Sequence, residues 1–259
     1  YYSLTDYGLM DAPVFIGIDN YRELASDQLF VKSAFNTALF AAISVFMSLV
    51  VSLGLAILLE QHLKGASLVR SLIFIPTLVP VVANCIIWLW LLNPSAGVVA
   101  AIGSAIGSPS LNPLGDAQLA MPTLALISVW VVGSPLLVCT AALKDVPGTL
   151  YEAAAMDGMG PLRRCIHVTL PMITPALGFN AIMSIIWSIQ VIAPPMIMTR
   201  GGPENSTLTF SMYIYKTAFE FGRMGYASAL AWIQILITML IAIGVLSLAR
   251  RVIFYRGAN

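Results

Sequence analysis

Charged residues are confined to short intervals of this chain. Between them run five long stretches with no Asp, Glu, Lys or Arg, at residues 33–59, 71–115, 117–143, 168–199 and 224–249. A helix that crosses the hydrocarbon of a bilayer needs about 20 apolar residues. Four stretches therefore predict one span each, and 71–115 predicts a span at 72–92 followed by a Gly/Pro/Ser-rich loop from Asn93 onward. The pattern is that of an all-α, polytopic membrane helix bundle with five visible spans. Prolines interrupt it: Pro76 and Pro80 in the second span, Pro122 and Pro135 in the third, and Pro171, Pro175, Pro194 and Pro195 in the fourth, taken as 170–198. Such breaks are tolerated where neighbouring helices satisfy the freed backbone groups. Residues 1–32 predict an outer segment with a short surface helix at 19–24, residues 33–249 the membrane domain, and 250–259 a tail.

Between the third and fourth spans lies a polar island, YEAAAMDGMGPLRRCIHVTLP, at 151–171. Thr149 and Glu152 have capping-box spacing, which predicts a helix capped by Thr149. Ala153, Ala154 and Ala155 propagate it and Gly158 stops it. Pro161 suits the first turn of a second short helix, 162–167, that leads into the next span. The segment 149–160 thus predicts a small-surfaced helix projecting from the membrane, with Glu152 and Asp157 as charged anchors for a soluble partner. A helix that is merely capped and solvated would carry the same residues.

Composition agrees with the pattern, since 59% of residues are hydrophobic and 10% charged, far from a soluble domain. Charge then orients the bundle. Taken alternately, the loops of one side hold Lys64, Arg70, Lys144, Arg163, Arg164, Arg250, Arg251 and Arg256, while the other side is rich in Asp and Glu. The positive-inside rule makes the first side, and the C-terminus, cytoplasmic. An outer segment opening on Tyr1-Tyr2-Ser3 without an initiator Met predicts a sixth span upstream; a five-span protein with a cleaved signal is the alternative. Cys85, Cys139 and Cys165 form no spaced framework or metal pattern, and His62 and His167 stand at span ends.

The uncharged spans narrow the chemistry. Proton- or sodium-driven transporters and pores lined by charged rings use intramembrane ionisable groups, and hydrolysis needs carboxylates or His; the spans have none. An ion-coupled secondary transporter or channel remains the rival class, because carbonyls and hydroxyls alone can bind sodium. A scaffold without transport is a third. The spans offer Asn84, Trp88, Ser128, Trp130, Ser134, Asn180, Ser184, Trp187, Ser188 and Gln190. Amides and hydroxyls bond sugar hydroxyls, and indoles stack on apolar sugar faces. Taken singly, each is more often a helix-packing residue. Ser184, Trp187, Ser188 and Val191 recur at i, i+3, i+4 and i+7, which predicts one shared helix face. No Gly-Lys-Ser/Thr phosphate loop is present.

Glu152-Ala153-Ala154, Asp157-Gly158 and Leu170-Pro171, twelve residues after that glycine, resemble the EAA motif of binding-protein-dependent ABC importer permeases. Asp19-Asn20-Tyr21, Asn93-Pro94, Gly201-Gly202-Pro203, Tyr213-Ile214-Tyr215 and the run from Gly225 to Ala229 are similar to its carbohydrate-uptake branch, with the larger maltose permease and glycerol-phosphate permease subunits. Essentially the whole chain is covered. The resemblance implies a type I importer transmembrane domain in a bacterial or archaeal inner membrane. It implies that the helix bearing Glu152, Ala153, Ala154, Asp157 and Gly158 docks in a groove of an ATP-binding subunit, with Glu152 meeting a basic residue. It implies two such subunits that hold ATP and Mg, a second related permease subunit and an extracytoplasmic solute-binding protein. The cargo implied is a neutral di- or oligosaccharide carried by alternating access. The permease itself would have no catalytic site, cofactor or nucleic-acid partner. Ser184, Ser188 and Val191 map onto the sugar-contacting face, with Ser128 and Trp130 in a neighbouring region. Met159, Pro161 and Cys165 depart from the usual motif.

Overall fold

The structure is a computed structural model that describes residues 1–8, 10–60, 65–105 and 112–252, with side chains to residue 247. His62, Lys64, Gly107, Pro109 and the tail 253–259 lie outside the described residues, as do the side chains of Arg250 and Arg251. After a two-stranded hairpin, β1 (Thr5–Asp6) and β2 (Val14–Phe15), the elements are helical: α1 (Asp19–Ser26), α2 (Gln28–Glu60), α3 (Ala66–Leu78), α4 (Val81–Leu91), α5 (Val98–Ala105), α6 (Ala120–Ser128), α7 (Gly133–Lys144), α8 (Gly148–Met156), α9 (Pro161–Arg164), α10 (Leu170–Ile189), α11 (Phe210–Tyr215) and α12 (Met224–Val252). Three helices are long and apolar enough to span alone, at Gln28–Glu60, Pro161–Ile189 and Met224–Ser247. The pairs α3/α4 and Ala120–Val131/α7 are broken, and counting each as one span gives up to five. Pro80 caps α4 at the first break, where the prolines of the second span led one to expect an interruption.

The chain divides into two compact units. The first comprises Tyr1–Ser44, Val79–Ile127 and Ile186–Ile241. One of its cores joins Phe40, Cys85, Met121, Leu124 and Met198; another joins Leu24, Leu208, Phe210, Tyr213, Tyr226 and Leu230. The hairpin is an addition to the all-α expectation, with Thr5 opposite Phe15 and Asp6 opposite Val14. Asn20 holds it in place from α1: its buried amide donates to the carbonyls of Ser3 at 2.9 Å and Thr5 at 3.0 Å, and the Tyr21 hydroxyl donates to Ser3 Oγ at 3.0 Å. The second unit, Val45–Leu78, Ser128–Ile185 and Ala242–Asn259, is built around Ala56, Leu59, Leu136, Cys139, Leu143, Val146 and Ile173.

The fourth span differs from expectation at both ends. Pro161 opens a helix in its first turn as expected, but the backbone then stays helical from Pro161 to Ile189, so the short helix does not end at 167. A π turn at Cys165–Thr169, with the Leu170 amide donating to Cys165 O, joins α9 to α10. It lies just before Pro171, which has no N–H and whose ring crowds the carbonyl four residues back; a wider turn relieves that crowding. At the other end the helix stops at Ile189 rather than reaching 198. Pro194 and Pro195 cannot donate to the carbonyls of Gln190 and Val191, so a helical ladder has nothing to continue on. Side chains from later in the chain take over: Thr209 Oγ1 donates to Val191 O at 2.8 Å, and Ile189 O receives Gln234 Nε2 at 2.9 Å and Ser211 Oγ at 3.2 Å.

Candidate functional site

α8 is the island helix. Its N-terminus departs from the capping-box expectation, because Pro147 is the N-cap, no side chain caps it, and Thr149 already lies inside the first turn. Pro147, with ψ 131 and φ −61, supplies an extended entry that places Gly148 first, one residue ahead of where Thr149 could cap. The C-terminus forms as expected. Gly158 takes φ +73, its amide donates to Ala155 O at 3.0 Å, and the Met159 amide donates to Ala154 O at 2.9 Å. These are the two bonds of a Schellman stop. Glu152, Ala153, Asp157 and Gly158 are exposed, and Met156 is 90% exposed, whereas Ala154 is buried. Among the described residues Glu152 and Asp157 enter no ion pair. Four of the five expected docking residues therefore face solvent, and Ala154 faces the unit's own core.

The neutral residues of the spans are treated differently by the structure. In the second unit Asn180 is buried and donates to Pro135 O at 3.0 Å and to Cys139 Sγ at 3.3 Å, which is helix packing. Ser128 and Ser184 are half-buried there, and Trp130 is 54% exposed. In the first unit Ser188 is buried with its Oγ 3.1 Å from Ser44 Oγ, while Trp187 is 75% exposed. Val191 has left the helix and packs against the Phe40 core, so the shared face expected for Ser184, Trp187, Ser188 and Val191 does not extend to Val191. Ser44 completes the Ser188 contact and was not legible in the sequence. Its signal was simply a hydroxyl within an apolar run.

A second constellation in the first unit was also missed. Asp27 Oδ1 accepts from the amides of Leu29 at 2.8 Å and Phe30 at 3.2 Å, capping α2. Its Oδ2 accepts the hydroxyls of Tyr213 and Tyr226, both at 2.6 Å. Burial alone would raise the carboxyl's pKa; the two tyrosines and the two amides outweigh it and hold the group below the usual carboxylate range. Burial and the same carboxylate push the Tyr213 hydroxyl up. Beside them Arg223 donates twice to Glu23, at 2.6 and 2.5 Å, and its guanidinium lies 4.7 Å from the Tyr226 ring centroid. The Arg223 hydrogen bonds lower the Glu23 pKa. The motifs at 213–215 and 225–229 thus have a local purpose, fastening α11 and α12 to Asp27 at the start of α2, while that at 19–21 holds the hairpin.

The fold is that of the transmembrane domain of an ABC importer. The solved structure of a bacterial ABC transporter involved in the import of the acidic polysaccharide alginate aligns with a TM-score of 0.81 at 22% identity, covering 92% of this chain and 85% of that one. The probable ABC transporter permease protein YesP of Bacillus subtilis is 34% identical over 246 residues, covering 93% of this chain and 79% of YesP. The diacetylchitobiose uptake system permease protein NgcF of Streptomyces coelicolor is 32% identical, covering 93% of this chain and 73% of NgcF. Residues 48–254 match the family described as binding-protein-dependent transport system inner membrane component, and the chain belongs to that family. It is a multi-pass membrane subunit of a transport system served by a binding protein.

Proposed function

We propose that the chain forms the translocation path of an ATP-driven importer of a neutral di- or oligosaccharide, with α8 as the docking helix for an ATP-binding subunit. The observation that carries this reading is α8 itself. It is a short helix of small residues, stopped by a left-handed glycine, with Glu152 and Asp157 exposed and unpaired among the described residues. A groove lined by basic residues fits that surface, and closure of two such subunits around ATP and Mg would move α8 and switch the spans between inward and outward access. A second related permease subunit and an extracytoplasmic solute-binding protein complete the assembly. Lys144, Arg163 and Arg164 flank α8 and support a cytoplasmic location for it and for the C-terminus. Carbohydrate cargo is supported by the uncharged spans, by the exposed indoles of Trp130 and Trp187, and by what NgcF is named for. Ser128, Trp130 and Ser184 in the second unit and Trp187 in the first remain the candidate solute contacts. Ser188 and Val191 serve packing at least in part.

The test is assembly and turnover. Glu152→Ala is expected to insert in the membrane but to lose both co-purification of the ATP-binding subunit and solute-stimulated ATP hydrolysis. Full hydrolysis and uptake by that variant, or wild-type uptake that follows an ion gradient with no ATP-binding subunit present, refutes the proposal.

A further inference from the structure

α8 turns only two side chains inward, Tyr151 and Ala154. Ala154 contributes a methyl group. Tyr151 packs its ring against the core of Ala56, Leu136 and Ile173, and its hydroxyl lies 3.0 Å from Thr169 Oγ1. Thr169 is 6% exposed and is the last residue of the π turn at the start of α10. The outward face of α8 is thus available to a soluble subunit, while its inward face meets the membrane helix through one bulky residue.

We propose that the Tyr151–Thr169 hydroxyl pair is the positioning contact that passes movement of the docking helix into α10, with the π turn as the joint that yields. The inference rests on the reading of α8 as a docking helix. Three features favour it. A hydrogen bond between these partly buried hydroxyls is directional, so it transmits rotation as well as pressure. The π turn bonds residue i to i−5, and its wider ring converts to an α turn by a change of carbonyl partner, without unfolding the helix. Pro171 follows within two residues and supplies no amide, so the first turn of α10 is held less tightly than a continuous α-helix. A bond that only stabilised the fold would persist in both access states. A transmitting bond has different strengths in the two, and losing it changes their ratio.

The experiment uses the complete complex in proteoliposomes, with Phe179→Cys on α10 as a labelling site and Cys165→Ser removing the half-exposed native thiol. The readout is the change in maleimide labelling rate on adding MgATP. Tyr151→Phe keeps the ring and removes the hydroxyl, and is expected to reduce the MgATP-dependent change by about three- to tenfold. Thr169→Val is expected to do the same, Thr169→Ser to retain the wild-type response, and Tyr151→Phe with Thr169→Val together to be no worse than either alone. A wild-type response in Tyr151→Phe, or a combined effect equal to the product of the single ones, overturns the proposal alone. Absence of any MgATP response in the unsubstituted complex overturns the docking-helix reading and this proposal with it.

Discussion

Gly158 is expected to matter for its backbone rather than for empty space inside the chain. Its φ of +73 lies in the left-handed region, and no atom stands within 4 Å of where a Cβ would be. Alanine there meets nothing but carries the left-handed penalty of about 1–2 kcal/mol. That corresponds to about a 5- to 30-fold fall in the fraction of molecules with the Schellman turn formed. Asparagine tolerates the same conformation and is the second choice at this position of a helix stop. Under the proposed docking role of α8, Gly158→Asn is therefore expected to retain binding of the ATP-binding subunit within about twofold, while Gly158→Ala weakens it by about fivefold or more. The affinity is measured by titrating the purified ATP-binding subunit against the reconstituted permease, with circular dichroism confirming that the spans persist. An Asn variant as defective as Gly158→Leu, alongside a normal Ala variant, would refute the argument, because the position would then be serving the partner's need for room.

Other outcomes follow from the same geometry. Asp27→Asn keeps an oxygen for the α2 cap but weakens two tyrosine bonds to a charged acceptor, and should cost about 2–4 kcal/mol in detergent unfolding; Tyr213→Phe should cost about half of that. Because the folded Asp27 pKa is depressed, its contribution is full above the unfolded value of about 3.9 and disappears as pH falls through the lower folded value. Acid unfolding of the Asp27→Asn variant should accordingly be less steep than wild type between about pH 5 and 2. Gly225→Ala drives a methyl into the Thr5 carbonyl oxygen and should cost about 1–3 kcal/mol, read as faster proteolysis of the segment before α1. Trp187→Ala should impair solute uptake with little change in thermal stability, whereas Ser188→Ala, which abandons Ser44, should do the reverse.

Much of this molecule was legible as runs without charge, because lipid leaves a chain few alternatives to apolar helix. The island helix and its stop at Gly158 were equally plain, since a left-handed position leaves glycine as its signature. What misled was local chemistry that competes. Thr149 and Glu152 have the spacing of a capping box, yet Pro147 had already set the entry. The 3.6-residue rhythm carried Val191 onto a helix face that Pro194 and Pro195 had removed. The Asp27 hub could not be read at all as a site, because its tyrosines stand 186 and 199 residues away along the chain. Pattern reports what a segment prefers, and these contacts depend on which segments meet.

The end of α10 has a consequence for how the protein is made. Ile189 and Val191 leave the ribosome with carbonyls whose partners, Thr209, Ser211 and Gln234, have yet to be synthesised. Bare carbonyls facing lipid cost several kcal/mol each, so the nascent span must wait near the interface or borrow water until α12 arrives. Asp27 waits longer still, holding its place at the head of α2 for a hydroxyl that belongs to the last helix. The packing around the end of α10 is therefore complete only once Gln234 has been made, and a product truncated before it would leave the Ile189 carbonyl without one of its two donors.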